Sequence, residues 1–426
     1  MIKKKKELQI VLVFAHWETL KDPTFMGRLS IASSRGKEVF SFEYDQDWIK
    51  TDFAQILDPN LGFFEGPQYP KEDQANFGLF LDSSPDRWGR LLMRRREEQL
   101  AREEKREKRT LLESDYLLGV YDGHRMGALR FRESLNGPFL DDNQEMASPP
   151  WVALRDLEYA SLQLEKDHAE KQKDYAKWLR LLIAPGGSLG GARPKANVID
   201  PKGHPWIAKF PSQQDDVNIG KWELLVHQLA KHAKINVPMV ECKKFTGKHD
   251  TFLAKRFDRT PKGGRVHFAS AMTMLNRTDG DGAAEGVSYL DLAEFLIQQG
   301  AQTDSDLEEL WRRIVFNICV SNVDDHLRNH GFLLTERGWI LSPAYDMNPS
   351  ETGNGLKLNI SKDDNAQDLD LAKDVAKFFR VKPPRALAII REVVTAVKSW
   401  KNAAKELDLP EKEISRMKDA FRKTQE

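Results

Sequence analysis

Cysteine is scarce: only Cys242 and Cys319 occur in 426 residues. Two thiols so far apart exclude a disulfide-rich scaffold and offer neither Cys-x-x-Cys nor any metal-ligand spacing. Both fit a reducing cytoplasm as small buried hydrophobes. Long apolar runs are missing too. The longest, such as Ile10–Ala15, are strand-length, against the roughly 20 residues a membrane helix needs. Met1–Lys6 is basic, but Leu8–Phe14 is too short for a secretory core, so a charged leader before a first strand is expected. An excess of one charge is absent as well. Lys+Arg and Asp+Glu both number 65, so bulk charge gives no drive toward nucleic acid and leaves only a local patch. No internal repeat or long low-complexity tract interrupts the text. What remains is an ordinary globular composition, 40% hydrophobic and 31% charged, long enough for two or three domains.

From Leu8 to about Phe131 the pattern is mostly strand and turn. Ile10–Phe14, Met26–Ile31 and Val39–Tyr44 predict a β-meander. Ser84-Pro85-Asp86 signals a helix start, with Leu91–Gln99 as its body. The mixed charges of Arg94–Arg109 suit a solvated helix face laced with i,i+4 pairs. Residues 133–150, with Asn136-Gly137-Pro138 and Pro149-Pro150, are the best boundary. A helical stretch is expected from Trp151 to Leu182, then a glycine-dense loop at 184–195. Strands Ala196–Ile199 and Pro205–Phe210 follow, the second carrying Lys209, and then a helix at Val217–Lys234 carrying Glu223. Met239–Phe245 and Thr251–Phe257 read as two more strands. After Thr260 helices predominate: Leu290–Gln299, Asp306–Val320, Leu369–Phe379, Pro384–Lys401 and Glu411–Lys423. Sheet first and helices second define an α+β chain.

The helical part is interrupted once, by Ser321–Gly331 and a hairpin ending at Tyr345-Asp346. Asp324 and Asn329 stand in Asp-x-x-x-x-Asn spacing, and Asp346 follows the hairpin. That order matches the catalytic loop and metal-holding Asp of protein-kinase-like enzymes. A carboxylate suits a hydroxyl proton, and hard oxygens suit Mg²⁺. A polar helix-capping loop with His326 as a turn residue is the plainer alternative. The glycine loop is open in the same way. Its backbone could cradle phosphate, yet Gly186-x-x-x-x-Gly191 is followed by Ala192-Arg193, not Lys-Ser/Thr, and a flexible turn explains it equally. Lys209 admits a snorkelling strand lysine, Glu223 an exposed helix residue, and Ser188 a small loop residue.

Taken in order, these motifs resemble the HipA family of toxin kinases over nearly the whole chain. Ser188-Leu189-Gly190-Gly191-Ala192-Arg193-Pro194-Lys195 is similar to the family's phosphate loop, Asp324, His326 and Asn329 to its Asp-x-His-x-x-Asn, and Tyr345-Asp346 to its metal-binding Tyr-Asp. Lys255-Arg256-Phe257-Asp258-Arg259 resembles the hinge, with Lys255 where at least one member has an acidic residue. Ser84-Pro85-Asp86-Arg87-Trp88-Gly89 marks the accessory subdomain. The resemblance implies a protein-kinase-like two-lobed fold with a β-rich accessory subdomain at 1–148, an N-lobe at 149–260 and a helical C-lobe at 261–426. It implies Asp324 and His326 as catalytic residues. ATP would be held by Gly190, Gly191, Ala192, Arg193, Lys195, Lys209, Lys255, Phe257, His326, Asn329, Tyr345 and Asp346. Mg²⁺ would sit on Asn329 and Asp346, and Ser188 would be the autophosphorylation site.

The implied activity is that of a cytoplasmic Ser/Thr protein kinase acting as a growth-inhibiting toxin, its target a translation-related protein such as an aminoacyl-tRNA synthetase. A helix-turn-helix antitoxin is the implied partner, with operator DNA reached mainly through it, and no membrane is involved. A kinase for a small molecule or lipid head group, or an ATP-binding non-catalytic co-repressor, are the competing readings.

Overall fold

The computed structural model describes residues 8–34, 36–51, 55–183, 191 and 193–424. The chain divides into two compact units. The first is Met1–Ala208 with Asp258–Ala269, the second Lys209–Phe257 with Ser270–Glu426.

The first unit opens on β1 (Leu8–Ala15), β2 (Thr24–Ser34) and β3 (Lys37–Tyr44), which with β4 (Leu129–Arg132) form an antiparallel sheet in the order β3-β2-β1-β4. Along β3 the alternation of Phe40, Phe42 and Tyr44 with Ser41 and Glu43 puts one aromatic face in the core. Phe42, Phe77, Phe80 and Phe131 cluster there with ring centroids 5.5–6.0 Å apart. The sheet is joined by α1 (Gln46–Ile49), α2 (Gly78–Leu81), α3 (Arg87–Glu103) and α4 (Glu113–Leu118). The strand-and-turn expectation for this region therefore understated its helix. The Ser-Pro-Asp signal holds: the Asp86 carboxylate caps α3 by accepting the Gly89 N–H at 2.8 Å.

The helical stretch expected at 151–182 consists of two α-helices, α5 (Leu154–Leu164) and α6 (Tyr175–Ile183). The polar run Glu165–His168 gives a helix nothing to bury, and His168 turns left-handed at φ +57. β5 (Lys195–Ile199) and β6 (Pro205–Lys209) then lie side by side.

The second unit contains α7 (Ile219–His232) and the antiparallel pair β7 (Val240–Lys243) and β8 (Thr251–Lys255). The chain returns to the second unit at Ser270, the last residue of the short strand β9 (Phe268–Ser270). It continues with α8 (Ala271–Met274), α9 (Tyr289–Gln299) and α10 (Thr303–Val320), then the hairpin of β10 (Gly331–Thr335) and β11 (Gly338–Leu341). α11 (Leu369–Val375), α12 (Pro383–Lys398), α13 (Trp400–Glu406) and α14 (Glu411–Arg416) complete the unit, with a 3-10 turn at Met417–Thr424. The hairpin is not the sole break among the helices. From Ser342 to Asp368 no helix or strand forms, although Leu356, Leu358 and Ile360 are buried there.

Candidate active site

Every residue of α10 from Leu310 to Val320 is buried, so the helix ends inside the second unit. Ser321 then takes φ +49, a left-handed conformation that turns the chain out of the helix. Along the next stretch, Asp325 points inward and is 1% exposed. One of its oxygens accepts the Lys357 N–H at 2.8 Å and the other the Tyr289 hydroxyl, which in turn accepts from Asn317 Nδ2 at 3.0 Å. Burial is the main effect on this carboxyl and pushes it up to about 6. His330, its Nε2 3.2 Å from the Asp325 carbonyl oxygen, is pushed down to about 3 by burial and then Arg313, so it stays neutral and donates from that nitrogen. With Asp325 facing in, Asp324 faces out, its side chain 76% exposed. His326 Nε2 stands 4.0 Å from the Asp324 carboxylate.

Asn329 Nδ2 donates to the Asp324 carbonyl at 2.7 Å, closing the loop across Asp-x-x-x-x-Asn. Its Oδ1 is buried with no hydrogen-bond partner among the described residues. A buried, unsatisfied carbonyl oxygen costs about 1–3 kcal/mol, so a donor or cation placed there would be stabilising. Beyond the hairpin, the Tyr345 hydroxyl donates to the Arg328 carbonyl at 2.7 Å and its ring packs 5.5 Å from Phe257. Asp346 follows at φ +57, like Ser321 a non-glycine residue in the left-handed region.

Lys209 ties this loop to α7. Its ammonium donates to Glu223 and to Asp346, each at 2.6 Å. Burial works against the charge, but Asp346 and Glu223 outweigh it and hold the lysine well above its ordinary value. Glu223 is 2% exposed, which sets aside the surface-residue reading, and Lys209 is an ion-pair centre, not a snorkelling side chain. His227, one turn further along α7, is pushed down to about 3 by burial and then by Lys209.

Lys209, Asp346, Asp324, Asn329, His326, Tyr345 and Phe257 thus belong to one network of short contacts and neighbouring residues in the second unit. Lys255 bonds through its backbone N–H to the Met239 carbonyl at 2.8 Å. Gly191, Arg193 and Lys195 belong to the first unit, while Ser188, Gly190 and Ala192 lie outside the described residues. Lys195 is turned inward, its Nζ 2.9 Å from Asp86 and 3.3 Å from the Gly191 carbonyl, and its own carbonyl accepts from Trp88 Nε1 at 3.1 Å. The Ser84–Gly89 marker is therefore an anchor for this lysine. Sequence reasoning missed Asp86 in that role, and also Asp325 and Tyr289. The adjacent Asp-Asp pair was the one available signal for Asp325.

A lysine between two carboxylates, one on a helix and one after a hairpin, fits an α+β, kinase-like fold. The model of the HipA-like C-terminal domain matches residues 187–401, half of the chain, and the chain belongs to the HipA family. HipA of Shewanella oneidensis, solved with HipB and its operator DNA, shares the fold: TM-score 0.63 at 18% identity, covering 98% of this chain and 95% of that one. Among curated relatives, "Putative kinase Y4dM" of Sinorhizobium fredii is 32% identical over 158 residues, 34% of this chain and 37% of that protein. A "Putative kinase" of Haemophilus influenzae is 27% identical over 179 residues, 38% of this chain and 52% of that protein. The chain spans between about a third and a half of the length of these curated relatives.

Proposed function

We propose that this protein is an ATP-dependent serine/threonine protein kinase, the toxin of a toxin–antitoxin pair, that slows growth by phosphorylating a translation-related protein. The observation that carries the reading is Lys209 held at 2.6 Å from both Glu223 and Asp346, the lysine–helix-carboxylate pair and the metal-type Asp of a phosphotransferase meeting at one ammonium. The donor set fits Mg²⁺, since the unsatisfied Asn329 Oδ1 and the Asp346 carboxylate are hard oxygens. Bound there, Mg²⁺ would neutralise phosphate charge. Lys209 would then orient the phosphates, and Asp324, exposed to an incoming side chain, would take the proton of a Ser/Thr hydroxyl as its oxygen bonds the γ-phosphorus and ADP leaves. His326 braces the loop beside it.

The HipB and operator DNA named with the Shewanella protein support an antitoxin partner, with DNA reached through it. Ser188 is the proposed self-limiting site, because a phosphoserine adds up to about −2 charge to the loop meant for phosphate. Labelled ATP with a cell extract, wild type beside Asp324→Asn, tests the activity. An Asp324→Asn protein as active as wild type overturns the catalytic assignment. Label appearing in lipid or small molecules instead of protein would move the substrate class. Mass spectrometry after ATP incubation tests Ser188, and an active kinase unmodified there removes that part.

A further inference from the structure

Glu223 can meet Lys209 only if α7 keeps its rotation and position, and the contacts that fix both come from the far end of the chain. The Glu413 carboxylate, on α14, accepts the Asn218 backbone N–H and the Trp222 indole N–H, both at 3.0 Å. Asn218 caps α7, its side-chain oxygen accepting the Lys221 N–H, and Trp222 immediately precedes Glu223. Consecutive side chains on a helix are about 100° apart, so pinning the indole fixes the direction in which Glu223 leaves the axis. The indole is 1% exposed and packs against Phe421 and Trp400, which stack on each other at 4.3 Å.

The same C-terminal segment also grips the chain that descends from Asp346. Arg416 Nε donates to Glu351 at 2.7 Å, and Arg422 donates to the Gly353 carbonyl at 3.2 Å and to Gln367 at 3.4 Å. Gln367 accepts in turn from the Ser321 hydroxyl at 3.1 Å, at the turn that opens the Asp324 loop. The Ser350 N–H returns to the Ser321 carbonyl at 3.1 Å. Both carboxylates of Lys209 are therefore carried on segments held by residues 411–424. Those residues lie beyond the stretch matched by the family's domain model, which ends at 401.

We infer that the side chains of Glu413, Arg416 and Arg422, within residues 411–424, form a positioning clamp that sets Glu223 against Lys209 and Asp346, with Glu413 as the positioning residue that joins it to α7. The inference rests on the kinase reading for its kinetic consequence. Glu413 touches no reacting atom and acts only through Trp222 and Asn218.

The test uses the full chain and compares Glu413→Ala with two controls. Glu413→Gln keeps an oxygen that can accept both N–H groups, and Ile414→Ala opens the same helix at a buried residue that donates nothing to α7. Hydrogen exchange reads the clamp directly. In Glu413→Ala, amides of α7 should exchange about tenfold faster while α12 stays as in wild type. The kcat/KM for ATP, taken well below each variant's melting temperature, should fall about tenfold in Glu413→Ala, stay near wild type in Glu413→Gln, and stay near wild type in Ile414→Ala.

Unchanged α7 exchange in Glu413→Ala overturns the clamp. Faster exchange with unaltered kcat/KM overturns the positioning role, as does an activity loss in Ile414→Ala matching that in Glu413→Ala. A wild-type protein that transfers no phosphate overturns the kinase reading and the kinetic consequence together, while the exchange pattern still decides the clamp.

Discussion

Lys209→Met isolates the electrostatics of the site without reference to its chemistry. In the folded protein one ammonium lies 2.6 Å from each of two carboxylates, with side-chain exposures of 13% for Lys209, 3% for Glu223 and 26% for Asp346. At an effective dielectric of about 20, each contact has a gross attraction of roughly 6 kcal/mol, most of it offset by desolvation. Methionine keeps the length of the chain but leaves two carboxylates close together with no cation between them. Removing one partner of a buried pair costs about 3–5 kcal/mol, and the water reaching Asp346 favours the lower figure. For a unit of this size that corresponds to a melting temperature lower by about 6–20 °C.

The deficit has a defined pH profile. Lys209 is raised above its ordinary value, so its contribution is complete below the unfolded lysine value of about 10.4 and is lost only as pH climbs past that toward the folded value. Denaturant unfolding of nucleotide-free wild type and variant should thus differ by a constant amount between pH 7 and 9. Adding Glu223→Gln to Lys209→Met should return part of the loss, since the remaining carboxylate then faces an amide. A melting shift under about 2 °C, or a difference that disappears by pH 8, would show that the three groups do not form a buried triad.

Asp324→Asn should lower phosphoryl transfer by about 10²–10⁴-fold while nucleotide binding persists. At 76% exposure the carboxylate holds little of the fold, so its melting curve should overlay wild type. Asp86→Ala removes the α3 cap and strands the buried Lys195 ammonium, a loss of about 3–5 kcal/mol by denaturant unfolding. Pairing Asp86→Asn with Lys195→Met should be milder than either single change, because no unpaired charge is left. For Asp325, burial raises the carboxyl to about 6, so between its ordinary value and about 6 the folded state holds a proton that the unfolded chain releases. Wild type should therefore gain stability relative to Asp325→Asn as pH falls from about 6 to about 4, read from paired unfolding curves.

The parts of the site legible in the sequence were those whose chemistry is local. Asp324, Asn329 and Asp346 are set by spacing within one loop and hairpin. α9 to α12 and α14 were visible because each buries a face at helical period, whereas α13 was not separated from the end of α12. What could not be read were partners brought together by the fold. Nothing near Lys195 points to Asp86, more than a hundred residues earlier, and nothing near Asp325 points to Tyr289. The 151–182 stretch is helical as read, but its division into two helices was not visible, because its apolar residues keep helical period on both sides of a polar break that local pattern does not weigh. The irregular run from Ser342 to Asp368 escaped for a related reason. Leu356, Leu358 and Ile360 are buried, but the backbone there is held by isolated bonds such as Leu356 N–H to Asn365 and Ile360 N–H to Asp364, not by a repeating ladder.

Ser321 and Asp346 bring both limits together. Neither residue announces a left-handed backbone, which costs an L-residue about 1–2 kcal/mol, yet one opens the Asp324 loop and the other closes the hairpin. Each persists because its surroundings over-determine it. Ser321 is held by the end of a buried helix, the Ser350 N–H and Gln367, and Asp346 by Lys209. A chain that kept only the motif letters could relax at either position. The geometry of the site is therefore a property of the packing around the motif as much as of the motif, and it is the packing that a sequence pattern does not record.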